Sequence, residues 1–276
     1  MNAKKRQPKP AGLCRLTGHT GRFVKSHIIP QALTRPAQKN LPFLQLHPDK
    51  PPVRRWSSWY DSGLVTQIGE DILTAYDTWG VDALRREKLV WSGWGSQRSL
   101  DSLHHAIGDS PWGVRKIESI DGGKLRLFLL SLLWRAAATE LPEFSAIKMP
   151  EEDLETLRTL VCNGDPGSPN FYPAQLTQLS TIGKIHNHAP ITQIKAIPIL
   201  DTDPLQHLPA PIFRFYFDGL IVHFDRRKLS LTEVAKVGNL FIGQEDTFLV
   251  NTQTYDGSLQ SLQSINVQVQ HPEPAA

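Results

Sequence analysis

Apolar residues recur at helical spacing from Glu70 to Leu89, where Ile72, Leu73, Tyr76, Trp79, Ala83 and Leu84 fall three and four positions apart. That period predicts an amphipathic helix. Glu70 and Asp71 at its start and Arg85, Arg86 and Lys88 at its end suit the helix dipole. Between Lys124 and Glu140 the pattern becomes nearly continuous leucine with Phe128 and Trp134, which predicts a helix buried on most faces and ended by Pro142. A third helix is expected from Met149-Pro150-Glu151-Glu152-Asp153 to Cys162, stopping near Gly164. From Ile194 onward the character turns to β. Ile212 to Phe217 and Leu220 to Phe224 flank Asp218-Gly219, a hairpin signal, and two further strands are expected over Thr247 to Tyr255 and Ile265 to Gln270.

The N-terminal third is less regular. Val24, Ile28 and Ile29 read as a strand interrupted by Lys25-Ser26-His27 and closed by Pro30. Thr34 to Pro52 holds five prolines and predicts a long irregular loop. Five of the seven tryptophans lie between Trp56 and Trp94, and most of them are expected in a core. These patterns predict an α+β chain with a helical middle and a C-terminal antiparallel sheet packed on it. The expected organisation is a basic tail over 1–10, a first module over 11–95 and an α+β domain over 96–276.

Composition narrows the class. With 276 residues, 40% hydrophobic and 21% charged, the chain can bury a substantial core. No apolar run reaches bilayer length, because Leu125 to Trp134 is interrupted by Arg126 and Ser131, so no membrane partner is expected. Cys14 and Cys162 are the only cysteines, which excludes a disulfide framework. That usage, with an opening stretch that has charge but no apolar segment of the secretory kind, predicts a cytoplasmic location.

Net charge is only +3, but it is polarised. Up to Arg55 there are 12 Lys and Arg residues against the single acid Asp49, and the remainder holds 18 basic and 26 acidic residues. A cationic first third predicts a polyanionic partner, most simply nucleic acid. Arg54-Arg55-Trp56 sets an aromatic beside a basic pair, the combination that holds phosphates and stacks bases, and Lys25 and Arg35 add charge nearby in sequence. No dinucleotide-binding glycine motif, P-loop or serine-hydrolase elbow is present.

Cys14-Arg15-Leu16-Thr17-Gly18, followed by Lys25-Ser26-His27-Ile28-Ile29-Pro30, resembles the opening of an HNH (ββα-metal) endonuclease module. That opening usually reads C-x-x-C-G, a hairpin, then H-I-I-P or H-I-V-P after an acidic or small residue. Leu64-Val65-Thr66-Gln67-Ile68-Gly69-Glu70 is similar to the family's second half, I-L-C-x-x-C-N, after which a helix begins. The resemblance covers about residues 12–95. Thr17, Thr66 and Gly69 stand where three of the four zinc-binding cysteines would be, so no structural zinc is expected.

The resemblance implies a metal-dependent endonuclease, of a kind found in bacterial defence. His27 would be the general base, and Glu70 the ligand of a single Mg²⁺ or Mn²⁺ ion, with Asp61 and Asp77 as candidates to complete the site. DNA is expected ahead of RNA as partner, contacted through Lys25, Arg35, Arg54, Arg55 and Trp56. Ser26 stands where members commonly have an acidic ligand, so a nucleic-acid-binding or scaffold protein that keeps the fold without the chemistry is the alternative. His186-Asn187-His188 lacks a placed third ligand and is expected to be hydrogen-bonded or at the surface.

Overall fold

The leucine-rich stretch forms helix α2, Gly122–Ala138, in a computed structural model that describes residues 11–34, 43–47, 50–100, 103, 105–106, 112–184, 186–198, 207–243 and 245–270. The side chain of Asp121 caps it by accepting from the Lys124 amide at 2.8 Å. Almost every α2 side chain is buried, as its lack of a polar face requires. Helix α1, Gln67–Arg86, packs across it. It begins three residues earlier than its apolar period suggests, because extended Thr66 takes the N-cap position. Helix α3, Glu151–Asn163, has three acids in its first turn and stops at Gly164.

Opposite these helices lies a nine-stranded mixed sheet. Its centre is the antiparallel run of β9 (Ala174–Leu179), β10 (His186–Pro198), β11 (His207–Phe217) and β12 (Leu220–Asp225). The expected Asp218-Gly219 turn joins β11 to β12, with Phe217 paired to Leu220. Phe213, Phe215, Phe217, Val222 and Phe224 alternate onto the face that meets the helices.

Three expectations are corrected. The stretch read as an irregular loop holds a hairpin, β4 (Phe43–His47) and β5 (Lys50–Arg55), and β4 pairs in parallel with β10. Pro51 and Pro52 are accommodated because β5 is an edge strand, where a missing N–H breaks no ladder. The strand expected over 265–270 is the end of helix α5, Leu259–Gln270. The sheet is also not purely antiparallel or purely C-terminal: β13 (Phe248–Gln253) runs parallel to β9, and β7 (His105–Ala106) and β8 (Trp112–Ile117) extend it.

Near the N-terminus β1 (Ala11–Leu13) and β2 (Thr20–Arg22) form a small hairpin, and β3 (Ser26–His27) pairs with β6 (Tyr60–Asp61). The interrupted strand expected from Val24 to Ile29 is thus reduced to two residues. Trp59, Trp91 and Trp94 are buried, Trp79 packs against the core and Trp56 is exposed. One hydrophobic cluster runs from Cys14 through α1 and α2 to Val250, so the boundary expected near Gly95 falls within a continuous core. The short helix α4 (Leu231–Val237) carries a full capping box between Ser230 and Glu233. Among the described residues no helix is long and apolar enough to cross a membrane.

Candidate active site

Two short strands and two helices converge on His27. The β3–β6 register sets Ser26 opposite Asp61 and His27 opposite Tyr60. The following turn delivers Thr66 to the start of α1, which puts Glu70 in the first turn and Asp77 two turns further along the same face. From α2 comes Arg135, 1% exposed. It clasps Asp77 through two hydrogen bonds of 2.9 and 2.6 Å and donates to the His27 carbonyl at 3.0 Å. A bidentate guanidinium–carboxylate pair of this kind is geometrically specific and locks both partners. Arg135 therefore ties the strand that carries His27 to the helix that carries Glu70.

Electrostatics set the protonation states. Burial pushes the His27 pKa below its ordinary 6.5, and Lys25 and Arg135 act in the same direction against Asp77. The imidazole is thus neutral at pH 7 and able to accept a proton. Burial raises the Glu70 pKa, opposed by the Ser26 hydroxyl and Arg135. Among the described residues, His27 Nε2, Glu70 Oε2 and Ser26 Oγ are buried with no hydrogen bond of ordinary geometry. The Ser26 hydroxyl and the Glu70 carboxylate face each other, so His27 Nε2 is the atom of the three whose missing partner marks a place built for something else.

The predicted residues fare differently. His27, Glu70 and Asp77 are brought together around Arg135. Asp61 lies across from Ser26, but its two oxygens accept from the Gly63 amide and the Thr139 hydroxyl, both at 2.7 Å. Both oxygens of Asp77 are taken by Arg135. Among the described residues no three His, Cys, Asp or Glu side chains cluster as a metal site. The Glu70 carboxylate beside the Ser26 hydroxyl offers two hard donors, which fits an ion that takes one protein carboxylate and completes its shell with water and substrate oxygens. Arg135 was not expected. The signal for it is an arginine inside a run of buried leucines, where a charge persists only if paired.

The positions Cys14, Thr17, Thr66 and Gly69 also meet. Burial raises the Cys14 thiol pKa, but hydrogen bonds from the Thr17 side chain and from the backbone at Thr17, Thr66 and Leu16 outweigh it and hold the pKa below its ordinary value. A Cβ added at Gly69 would lie 2.7 Å from Cys14 Sγ, so α1 reaches the thiol at a point where only glycine fits.

Beside His27 the surface is cationic and aromatic. Lys25 Nζ sits 3.7 Å above the Tyr60 ring, and that ring lies 6.3 Å from His27, edge to face. Arg54, Arg55 and Trp56 are exposed at the end of edge strand β5, Trp56 by 69%. Arg35 lies outside the described residues. His186, Asn187 and His188 are buried at the start of β10: Asn187 donates to the Thr34 carbonyl, and both imidazoles contact backbone carbonyls. No family model, no curated protein and no solved structure matches the chain.

Proposed function

We propose that this protein hydrolyses phosphodiester bonds in nucleic acid, DNA ahead of RNA, as a divergent endonuclease of the HNH type. The observation that carries this reading is a neutral, half-buried His27 imidazole on a strand pair followed by a helix, with Glu70 and its neighbour Ser26 in the charge field of the same Arg135. The meeting of Cys14, Thr17, Thr66 and Gly69 supports it, since these positions match the family's four zinc-binding cysteines. His27 takes the proton from the attacking water. Arg135 fixes the backbone of His27, and Lys25, Arg54 and Arg55 hold the phosphate chain. Mg²⁺ or Mn²⁺ held by Glu70 with Ser26 would supply charge neutralisation at the scissile phosphate.

A second reading is a nucleic-acid-binding protein without catalysis. Arg135 favours it, because a guanidinium already neutralises Asp77 where a second metal ligand would be needed. The two readings separate in a cleavage assay on supercoiled plasmid, single-stranded DNA and RNA with Mg²⁺ or Mn²⁺, comparing wild type with His27→Ala. The first requires cutting that falls by about a hundredfold or more in the variant. Binding with a steep salt dependence and no cutting by either protein selects the second.

A further inference from the structure

Next to the candidate site is a cleft of about 210 Å³ whose walls include Tyr60 and Leu141 and whose lining includes Arg55, Ser58, Trp59 and Glu143. Two of its lining residues carry a buried side-chain donor. Ser58, 3% exposed, and Trp59, 5% exposed, each bury a side-chain polar atom, Oγ and Nε1, without a partner among the described residues. The indole is held in place by an edge-to-face contact with Phe144 at 5.7 Å, so its N–H has a fixed direction. Neither atom is explained by the proposed chemistry at His27. Among the described residues, Glu143 is the one carboxylate lining the cleft, and Arg55 the one cation.

We propose that this cleft binds one unstacked guanine base of the nucleic-acid chain, an inference that rests on the nucleic-acid reading above. Shape and position support a base. Tyr60 is shared between the cleft and the His27 site, so a base in the cleft lies one side chain away from His27. Lys25 sits over the Tyr60 ring at the cleft wall, where the rest of the strand has phosphates to neutralise. The polar groups select among bases. Arginine pairs with the O6 and N7 acceptors of guanine. A carboxylate accepts from guanine N1–H and N2–H, a pair of adjacent donors that no other common base presents. The Ser58 hydroxyl and Trp59 N–H add two donors for the acceptor edge. The substrate must then offer a guanine out of its stack, in a single strand, a loop or an extruded position.

The test is fluorescence anisotropy, in EDTA and low salt, with a thymidine oligonucleotide that does or does not contain one central guanosine. The guanosine should tighten binding to wild type by about tenfold. Glu143→Gln should erase that preference without weakening binding of the all-thymidine strand, since it removes a repulsive charge, and Ser58→Ala should weaken it. Guanosine monophosphate should shift the indole N–H resonance that disappears in Trp59→Phe. Equal binding of the two strands by wild type, or a preference that survives in Glu143→Gln, would overturn the guanine cleft and leave the nucleic-acid reading standing. No binding of either strand would remove both.

Discussion

The turn between β11 and β12 holds Asp218 at φ +51° and Gly219 at φ +80°, the left-handed pair that a two-residue hairpin with right-handed twist requires. Its shape was legible from Asp-Gly between two apolar runs, whereas its electrostatics were not. Asp218 is pressed against the turn after Trp91 and accepts from the Ser92 amide at 3.2 Å. Burial pushes its pKa from 3.8 up to about 6, against the hydrogen bonds from Ser92 and the charge of Arg85. The folded protein therefore binds a proton more tightly there than the unfolded chain. The charged carboxylate costs stability at pH 7, and this cost fades as pH falls through 6 and is gone below 3.8. Asp218→Asn should raise stability at pH 7 by about 2 kcal/mol and lose that gain near pH 4. His186 has the opposite sign. Burial lowers its pKa from 6.5 to about 4, so its contribution is present above pH 6.5 and is lost as pH falls toward 4. The variant should accordingly show a steeper acid loss than wild type in urea melts at pH 7 and 4.5. Equal midpoints for the two proteins at pH 7 would contradict the assignment.

Helices were the most legible elements, because caps and a 3.6-residue period act locally. What the period did not reveal was how closely they approach. A Cβ added at Gly80 of α1 would lie 2.5 Å from the ring of Phe128 on α2, which is fully buried. Alanine is favoured over glycine inside a helix by about 1 kcal/mol, but here the ring has no free space to retreat into. Gly80→Ala should therefore destabilise the protein by roughly 1–3 kcal/mol, as overpacking does. A raised denaturation midpoint would show that the helices can separate at little cost. The elements that were misread share a cause. The prolines of β5 are tolerated only because that strand is an edge, and α5 was obscured by the Val267 and Val269 alternation near its end. In both cases tertiary placement overrides local preference.

Chain segments far apart in sequence share one sheet and one core. β4 and β5 come from the first fifth of the chain and attach to β10, while α1 is held to α2 by apolar packing and by the Arg135–Asp77 clasp. Removing either part strips apolar surface from the other, so unfolding should be a single cooperative event. Urea transitions followed by tryptophan fluorescence and by far-ultraviolet circular dichroism should coincide. A fragment of residues 96–276 should lack a cooperative transition, whereas two separate transitions in the full chain would show an independent unit ending near 95.

By itself the sequence determined the local features: the α1, α2 and α3 helices, the Asp218-Gly219 hairpin, the cationic first third, and His27 with Glu70 as the residues to examine. Each rests on interactions within a few positions of the chain. The tertiary structure alone decided that β4–β5 joins the sheet and that Asp77 and Asp61 spend their oxygens on Arg135, Thr139 and Gly63. It also set Ser58, Trp59 and Glu143 around one cleft. Apart from the local Asp61–Gly63 bond, these depend on contacts between residues from 58 to 142 positions apart (His186 to Leu44), whose partners no local period or spacing specifies.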